Sequence, residues 1–300
     1  MSSDFLSTVL ATLRVTPNGS GPRLESRSGA GVQVVRTVGG QEAFLKVTPC
    51  TLGAFAVTAA RRELRFYREV APVAPVPTPK LLGHVDDEDG VAILLEAAGE
   101  TRPVRAWTAS MWSELGQALA RLHDMPLPSV TNWDRPDSLR EAIADPDVDA
   151  LHSFWSSLPE LSELLARRAT LWRHMSALSP VFIHGDCHTE NIPVRSGRLI
   201  FCDWQVSGLG RPTTDLAFVS VRATPHGAVV PSVFLDSYVS ARSCDPQLVR
   251  RAVLAEELAF TVFLWPPYAA FNDAAAVARV RRRTRALVQR WLAESAEGAA

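Results

Sequence analysis

The sequence predicts an α+β fold in two parts: a small antiparallel β-sheet lobe with one helix, then a larger, mainly helical lobe. Three observations lead there. Before residue 97 the chain carries short β-branched or alternating runs, punctuated by glycines and an acidic turn. After "AAGE" (97–100) the apolar residues recur at helical spacing almost to the end. Within that second part only "PVFIHG", "NIPVR" and "RLIFCDW" interrupt with strand-like runs. The expected lobes are 1–96 and 97–300.

In order, "PRLESRS" and "VQVVRTV" flank "GAG", and Gly39-Gly40 turns the chain into "QEAFLKV", a three-strand meander. "TAARRELRFYREV" puts Ala60, Leu64 and Tyr67 on one helical face. Pro72, Pro75, Pro77 and Pro79 forbid a helix next, and "KLLGHV" and "GVAILLEA" form a hairpin around "DDEDG". Helices follow in "TASMWSELGQALARLHDM", in "FWSSLPELSELLARRATLWRHMSAL" and across most of 231–291.

Composition narrows the function. A chain of 300 residues can hold two lobes. A net charge of −1 argues against a nucleic-acid partner, and no run approaches 18 uninterrupted apolar residues, which argues against a membrane helix. The start, "MSSDFLSTVLATLRV", has neither the basic region nor the cleavage site of a secretion signal and reads as a short amphipathic helix. Four cysteines without a CxxC pair read as reduced thiols, so a cytoplasmic location is expected. Of 31 basic residues only Lys46 and Lys80 are lysines, a bias that points to a GC-rich bacterial genome.

The chemistry concentrates in "VFIHGDCHTENI" (181–192). On a strand, His184, Asp186 and His188 would face one side and suit zinc, but that reading needs further ligands, and the seven histidines form no second cluster. Asp203 directly follows the apolar run of "RLIFCDW", so Asp186, Asn191 and Asp203 on two strand ends would offer one base and two oxygen ligands, a set suited to Mg2+. Magnesium beside a lone carboxylate suggests phosphoryl transfer, which also needs a cation for the donor phosphates. Lys46, ending "QEAFLKV", is that candidate, because a compact ammonium reaches between phosphate oxygens where a guanidinium fits less well. Glu63 on the next helix is its expected partner, with Glu69 the other carboxylate available.

The order of hairpin, strand lysine, helix glutamate, "HGDCHTEN" and "IFCDW" resembles the aminoglycoside phosphotransferase and choline kinase-like family, over roughly residues 23–216. The resemblance implies a bilobal protein-kinase-like fold. It implies Asp186 as base or hydroxyl-orienting carboxylate, with His184 bracing the loop and His188 matching the family's second histidine. Asn191 and Asp203 would hold Mg2+, Lys46 would contact the α/β-phosphates, and Glu63 would hold Lys46. Asp215 in "RPTTDLA" would support the loop. Leu95, Glu96 and Ala98 at the connector would face the purine. "SRSGAG" departs from the full protein-kinase glycine loop, so phosphate cradling would rest on Ser28, Gly29 and nearby amides, and the donor is ATP or GTP. Trp204-Gln205 stands where protein kinases have Phe-Gly, so a mobile switch is not implied.

The expected partners are a nucleoside triphosphate and a small hydroxyl-bearing acceptor, with an antibiotic hydroxyl favoured. A metabolic kinase for choline, a sugar or an amino alcohol is the alternative, and a non-catalytic nucleotide-binding module a third reading. Residues 134–163 hold eight carboxylates against two arginines, either a solvated loop or an electrostatic funnel for a cationic acceptor. Glu256, Glu257, Trp265 and Tyr268 are candidate acceptor contacts, the aromatics as a cation–π site or simply as core.

Overall fold

The computed structural model describes residues 3–18, 24–25, 31–126 and 133–297. The chain divides into two compact units. The first comprises Met1–Thr101 and Asn191–Ser207, the second Arg102–Glu190 and Gly208–Ala300. The first unit therefore takes in a distant segment as well as the amino-terminal stretch.

That unit begins with α1 (Ser3–Leu13), β1 (Val15–Pro17), β2 (Leu24–Glu25), β3 (Gly31–Thr37), β4 (Glu42–Pro49), α2 (Ala54–Glu69), β5 (Leu81–Asp86) and β6 (Gly90–Glu96). The strands form one antiparallel sheet in the order β1–β3–β4–β6–β5, with β2 also pairing with β3. Side chains alternate across a strand. Along β4, Ala43, Leu45 and Val47 join one apolar cluster with Phe5, Leu6 and Val9 of α1. The amphipathic N-terminal helix thus finds its partner on the sheet, and Lys46 falls on the opposite face. On α2 the buried stripe is Val57, Ala60, Glu63, Leu64, Phe66 and Tyr67, so Glu63 is the one carboxylate in an apolar row. The proline segment before β5 is irregular, and its Pro77 carbonyl accepts the Phe201 N–H at 2.8 Å.

The second unit supplies α3 (Ala109–His123), α4 (Ser138–Ala144), α5 (Val148–Phe154), α6 (Leu161–Ala166), α7 (Arg168–Met175) and β7 (Val181–Ile183). The hairpin β8 (Val194–Arg195) and β9 (Arg198–Leu199) belongs to the first unit. The second unit resumes with β10 (Gly208–Gly210), α8 (Pro212–Ala223), α9 (Ser232–Arg242), α10 (Pro246–Ala259) and α11 (Ala274–Glu297). Helices α3 and α9 close on Gly116, where a Cβ would lie 2.2 Å from the Phe234 carbonyl oxygen. One apolar core of this unit gathers Leu164, Leu171, Met175, Leu258, Val262, Val288 and Trp291. A π-helical turn, Phe260–Leu264, follows α10 and is pinned by the Trp155 indole, which donates to the Val262 carbonyl at 3.1 Å.

Much of the acidic stretch serves helix starts. Asp137 caps α4 by accepting from the Arg140 N–H, and Asp147 caps α5 by accepting from the Ala150 N–H. Glu141, Asp149 and Glu163 occupy first turns, where the helix dipole favours a negative charge. Five of the eight carboxylates thus have a local structural role.

"RLIFCDW" is not a continuous strand. Pairing stops at Leu199, after which the N–H groups of Ile200, Phe201 and Cys202 donate to the carbonyls of Pro193, Pro77 and Asn191, each within 3.0 Å. Among the described residues no helix is long and apolar enough to cross a membrane.

Candidate active site

In the first unit, Lys46 Nζ lies 2.6 Å from Glu63 Oε2 and 3.1 Å from Asp203 Oδ1. Burial alone would push the Lys46 ammonium to lose its proton; the Glu63 and Asp203 carboxylates outweigh it and hold its pKa above the ordinary lysine value. Glu69 pairs instead with Arg65 one turn away, at 2.8 Å, leaving Glu63 as the partner of Lys46. Asp203 adopts φ +65°, a left-handed conformation uncommon outside glycine. Its neighbours hold it there. Trp204 is fully buried, stacks on Phe66 with centroids 3.8 Å apart and donates to the Phe201 carbonyl at 3.0 Å. The Ser207 hydroxyl donates to the Trp204 carbonyl, and Arg62 to the Ser207 carbonyl. Tryptophan here is a wedge, and the Asp203 carboxylate stays 35% exposed beside the ammonium.

Asn191 ends a 3-10 turn, Thr189–Asn191, and its carbonyl accepts the Cys202 N–H. That bond ties its backbone to the residue preceding Asp203. An amide oxygen and a partly exposed carboxylate form a hard donor set that fits Mg2+ and not a thiophilic metal. Among the described residues no group of three His, Cys, Asp or Glu side chains is placed to hold a metal ion. β7 stops at Ile183, so His184, Asp186 and His188 share no strand face.

In the second unit the loop after β7 is organised by Asp215, fully buried near the start of α8. Its two oxygens accept the N–H groups of His184 (2.8 Å) and Gly185 (2.7 Å). Gly185 has φ +83°, a turn that glycine adopts without strain and that aims its N–H at the carboxylate. His184 is fully buried, and its Nδ1 accepts the Asp186 N–H at 3.3 Å. A third contact to Asp215 comes from His123 Nε2 at 3.1 Å; His123 Nδ1 lies 2.9 Å from the Tyr238 hydroxyl, which accepts from Arg242 at 2.8 Å. Burial pushes the Asp215 carboxyl up, but His123, His184 and the Gly185 N–H hold it below the ordinary range. Nothing in the sequence marks His123 or Tyr238 for this role, because a lone histidine in the last turn of a helix carries no local signal.

Asp186 itself faces His188, with Oδ2 3.6 Å from Nε2. Burial would raise its carboxyl, yet His188, His184 and Arg222 bring it down to about 2. Asp186 is therefore an ionised acceptor of hydrogen bonds across the physiological range.

Leu95 and Glu96 end β6, where Glu96 pairs with Arg195 at 3.1 Å, and Ala98 follows, buried. Ser28 and Gly29 lie outside the described residues. Glu256 is fully buried, accepting from Arg211 at 3.0–3.2 Å and from the hydroxyls of Thr213 and Thr214, while Arg211 also pairs with Asp137. Glu257 is buried against Arg283 in a two-pronged pair at 2.7 and 2.8 Å. Trp265 lies in the core with Phe154, whereas Tyr268 is half-exposed.

A sheet face carrying a paired lysine, and a helical unit carrying an "HGDCHTEN" loop bolted to a buried aspartate, define a protein-kinase-like phosphotransferase fold. The sequence matches the phosphotransferase enzyme family over residues 25–245, and the chain belongs to that family; it is a small-molecule phosphotransferase. Its fold is similar to that of an aminoglycoside phosphotransferase from Alicyclobacillus acidocaldarius, at 15% identity and TM-score 0.66, covering 97% of this chain and 95% of that one. An aminoglycoside phosphotransferase from Streptomyces rimosus, solved with ADP and streptomycin, is 18% identical with TM-score 0.51, covering 86% and 99%. An ethanolamine kinase from Plasmodium vivax is 12% identical with TM-score 0.59, covering 91% and 81%. No curated protein sequence matches the chain.

Proposed function

We propose that this enzyme transfers the γ-phosphate of ATP or GTP to a hydroxyl of an antibiotic, in the cytoplasm. The observation that carries the donor half of this reading is Lys46, a compact ammonium locked between Glu63 and Asp203 in a chain that otherwise uses arginine almost throughout. In this reading Lys46 neutralises α/β-phosphate oxygens, Glu63 fixes its position, and the backbone at Leu95, Glu96 and Ala98 meets the purine. Asn191 and Asp203 would hold Mg2+, whose role when bound is to neutralise charge on the phosphoryl oxygens. Asp186 accepts a hydrogen bond from the acceptor hydroxyl and aims its oxygen at phosphorus. A carboxyl held at about 2 is a weak base, so its contribution is orientation before transfer and proton acceptance late, as a loose transition state requires. His184 and Asp215 hold the loop that carries it.

The choice of an antibiotic rests on the family and on the arginine bias, which suits the GC-rich genomes of antibiotic producers. The fold likeness to an ethanolamine kinase keeps a metabolic amino alcohol or sugar as the second reading. Purified enzyme with MgATP or MgGTP, assayed for diphosphate release across antibiotics and metabolic alcohols, separates them. Release stimulated by a hydroxyl-bearing antibiotic, and lowered about 10²–10⁴-fold in Asp186→Asn, is the expected result. Stimulation only by choline, ethanolamine or sugars would establish the second reading, and nucleotide binding without any turnover would make the chain a binding module.

A further inference from the structure

Glu190 has no role in the chemistry above, yet it is held where an ordinary loop glutamate would not be. It sits in the 3-10 turn after the catalytic loop, and Arg222 near the end of α8 donates to its Oε2 at 2.6 Å. His226 Nε2 lies 3.9 Å from its Oε1. The same Oε2 faces His188 Nδ1 at 3.7 Å, while the other ring nitrogen, Nε2, faces Asp186 at 3.6 Å. The His188 ring is buried, packs edgewise on Phe218 with centroids 6.1 Å apart, and its Nδ1 is buried without a hydrogen-bond partner. An imidazole in that position is steered by whatever charge faces its unbonded nitrogen. Arg222 fixes Glu190, Glu190 faces one edge of the ring, and the opposite edge is thereby presented to Asp186.

We propose that Glu190 is a positioning residue for the phosphoryl transfer, acting through His188 on the orientation of Asp186. This rests on the reading of Asp186 as the hydroxyl-orienting group. Glu190 is about half exposed, so its loss should cost little stability, which separates positioning from scaffolding.

The test is a double-mutant cycle on the full chain, with MgATP and water as acceptor, read as phosphate release, and with [15N]histidine NMR of the imidazoles. Glu190→Gln is expected to slow turnover roughly tenfold, as small misalignments do, with ATP KM, the Mg2+ activation constant and Tm unchanged. It should also move the His188 ring nitrogen signals, assigned by their loss in His188→Gln, and leave those of His123 and His184 in place. In a His188→Gln background Glu190→Gln should have no further effect. Arg222→Gln should shift turnover in the same direction, again only while His188 is present. Unchanged turnover and ring signals in Glu190→Gln, additive losses in the cycle, or a loss that follows the Mg2+ constant or Tm would each overturn the proposal. Asp186→Asn is the control: if it keeps full turnover the Asp186 reading fails, and if it alone is inactive only the role of Glu190 fails.

Discussion

Two ion clusters in this protein are built on the same plan, one cation against two carboxylates, and they differ in how completely the buried carboxylate is satisfied. In the first unit Lys46 touches Glu63 and Asp203, and Asp203 remains 35% exposed. In the second unit Arg211 touches Asp137, 27% exposed, and the fully buried Glu256, whose remaining side the Thr213 and Thr214 hydroxyls close. Arg211 also lies over the Trp172 ring, 4.8 Å from its centroid. A planar guanidinium with five donors can satisfy two carboxylates at once and seal a cluster. A small ammonium between two carboxylates leaves anionic oxygen at an accessible edge. The sealed cluster is suited to holding helices α4, α8 and α10 together. The open one is suited to a charged ligand, and only it bears lysine.

The largest effect expected from this contrast is on stability. Arg211→Met leaves Glu256 buried without its counter-charge, and should cost about 3–5 kcal/mol in urea unfolding while the folded fraction keeps its kcat. A variant as stable as the parent would mean that the threonines alone satisfy Glu256. Next comes the open cluster. Lys46→Arg keeps the charge, so Tm should hardly move, but kcat should fall roughly 10- to 100-fold, about 1.4–2.8 kcal/mol of barrier. Normal kcat would reduce Lys46 to an ordinary ion pair.

A smaller, pH-dependent difference should also separate the two. Burial raises the Asp137 carboxyl, but Arg211 and the Arg140 N–H hold it below its ordinary value. A carboxylate lowered in the folded state stabilises the fold above about pH 4 and loses that contribution as pH falls through its folded pKa. The Tm of the parent should therefore drop on acidification below about pH 4, and Arg211→Met should show a shallower drop. An identical slope would remove Asp137 from the linkage. The smallest effect concerns thiols. Burial pushes the Cys202 thiol up to about 12, with Lys46 pulling it down and Glu63 and Asp203 raising it again. It should resist a disulfide reagent at pH 8 despite its lysine neighbour, whereas exposed Cys50 should give the fast phase, absent in Cys50→Ser. Rapid labelling of Cys202 would show that the open cluster is more cationic than its geometry implies.

The phosphotransferase signature was legible because it is local. "HGDCHTEN" holds Asp186 and Asn191 within one loop, and the period of two on β4 sets Lys46 apart from Leu45 and Val47. The choice of Glu63 over Glu69 also follows from periodicity: six residues are about one and two-thirds turns, which places the two carboxylates on different faces.

Partners across long separations were not legible. Glu256 and Glu257 read as acidic contacts ahead of aromatics, and only the packed structure sets Arg211, 45 positions away, against Glu256 and Arg283, 26 away, against Glu257. Asp215 matched the family pattern, but its support by His123, 92 positions away, required α3 to pack beside the loop. "RLIFCDW" looked like one strand because its apolar run is continuous, yet its N–H groups are claimed by two separate segments, at Pro77 and at Asn191 and Pro193, and Asp203 turns to a positive φ behind a stacked tryptophan. Sequence by itself determined which residue types lie together along the chain and which face of an element they occupy. Whether a charge is sealed or left open depended on what tertiary packing brought against it, since burial and counter-charge are properties of the surroundings rather than of the residue.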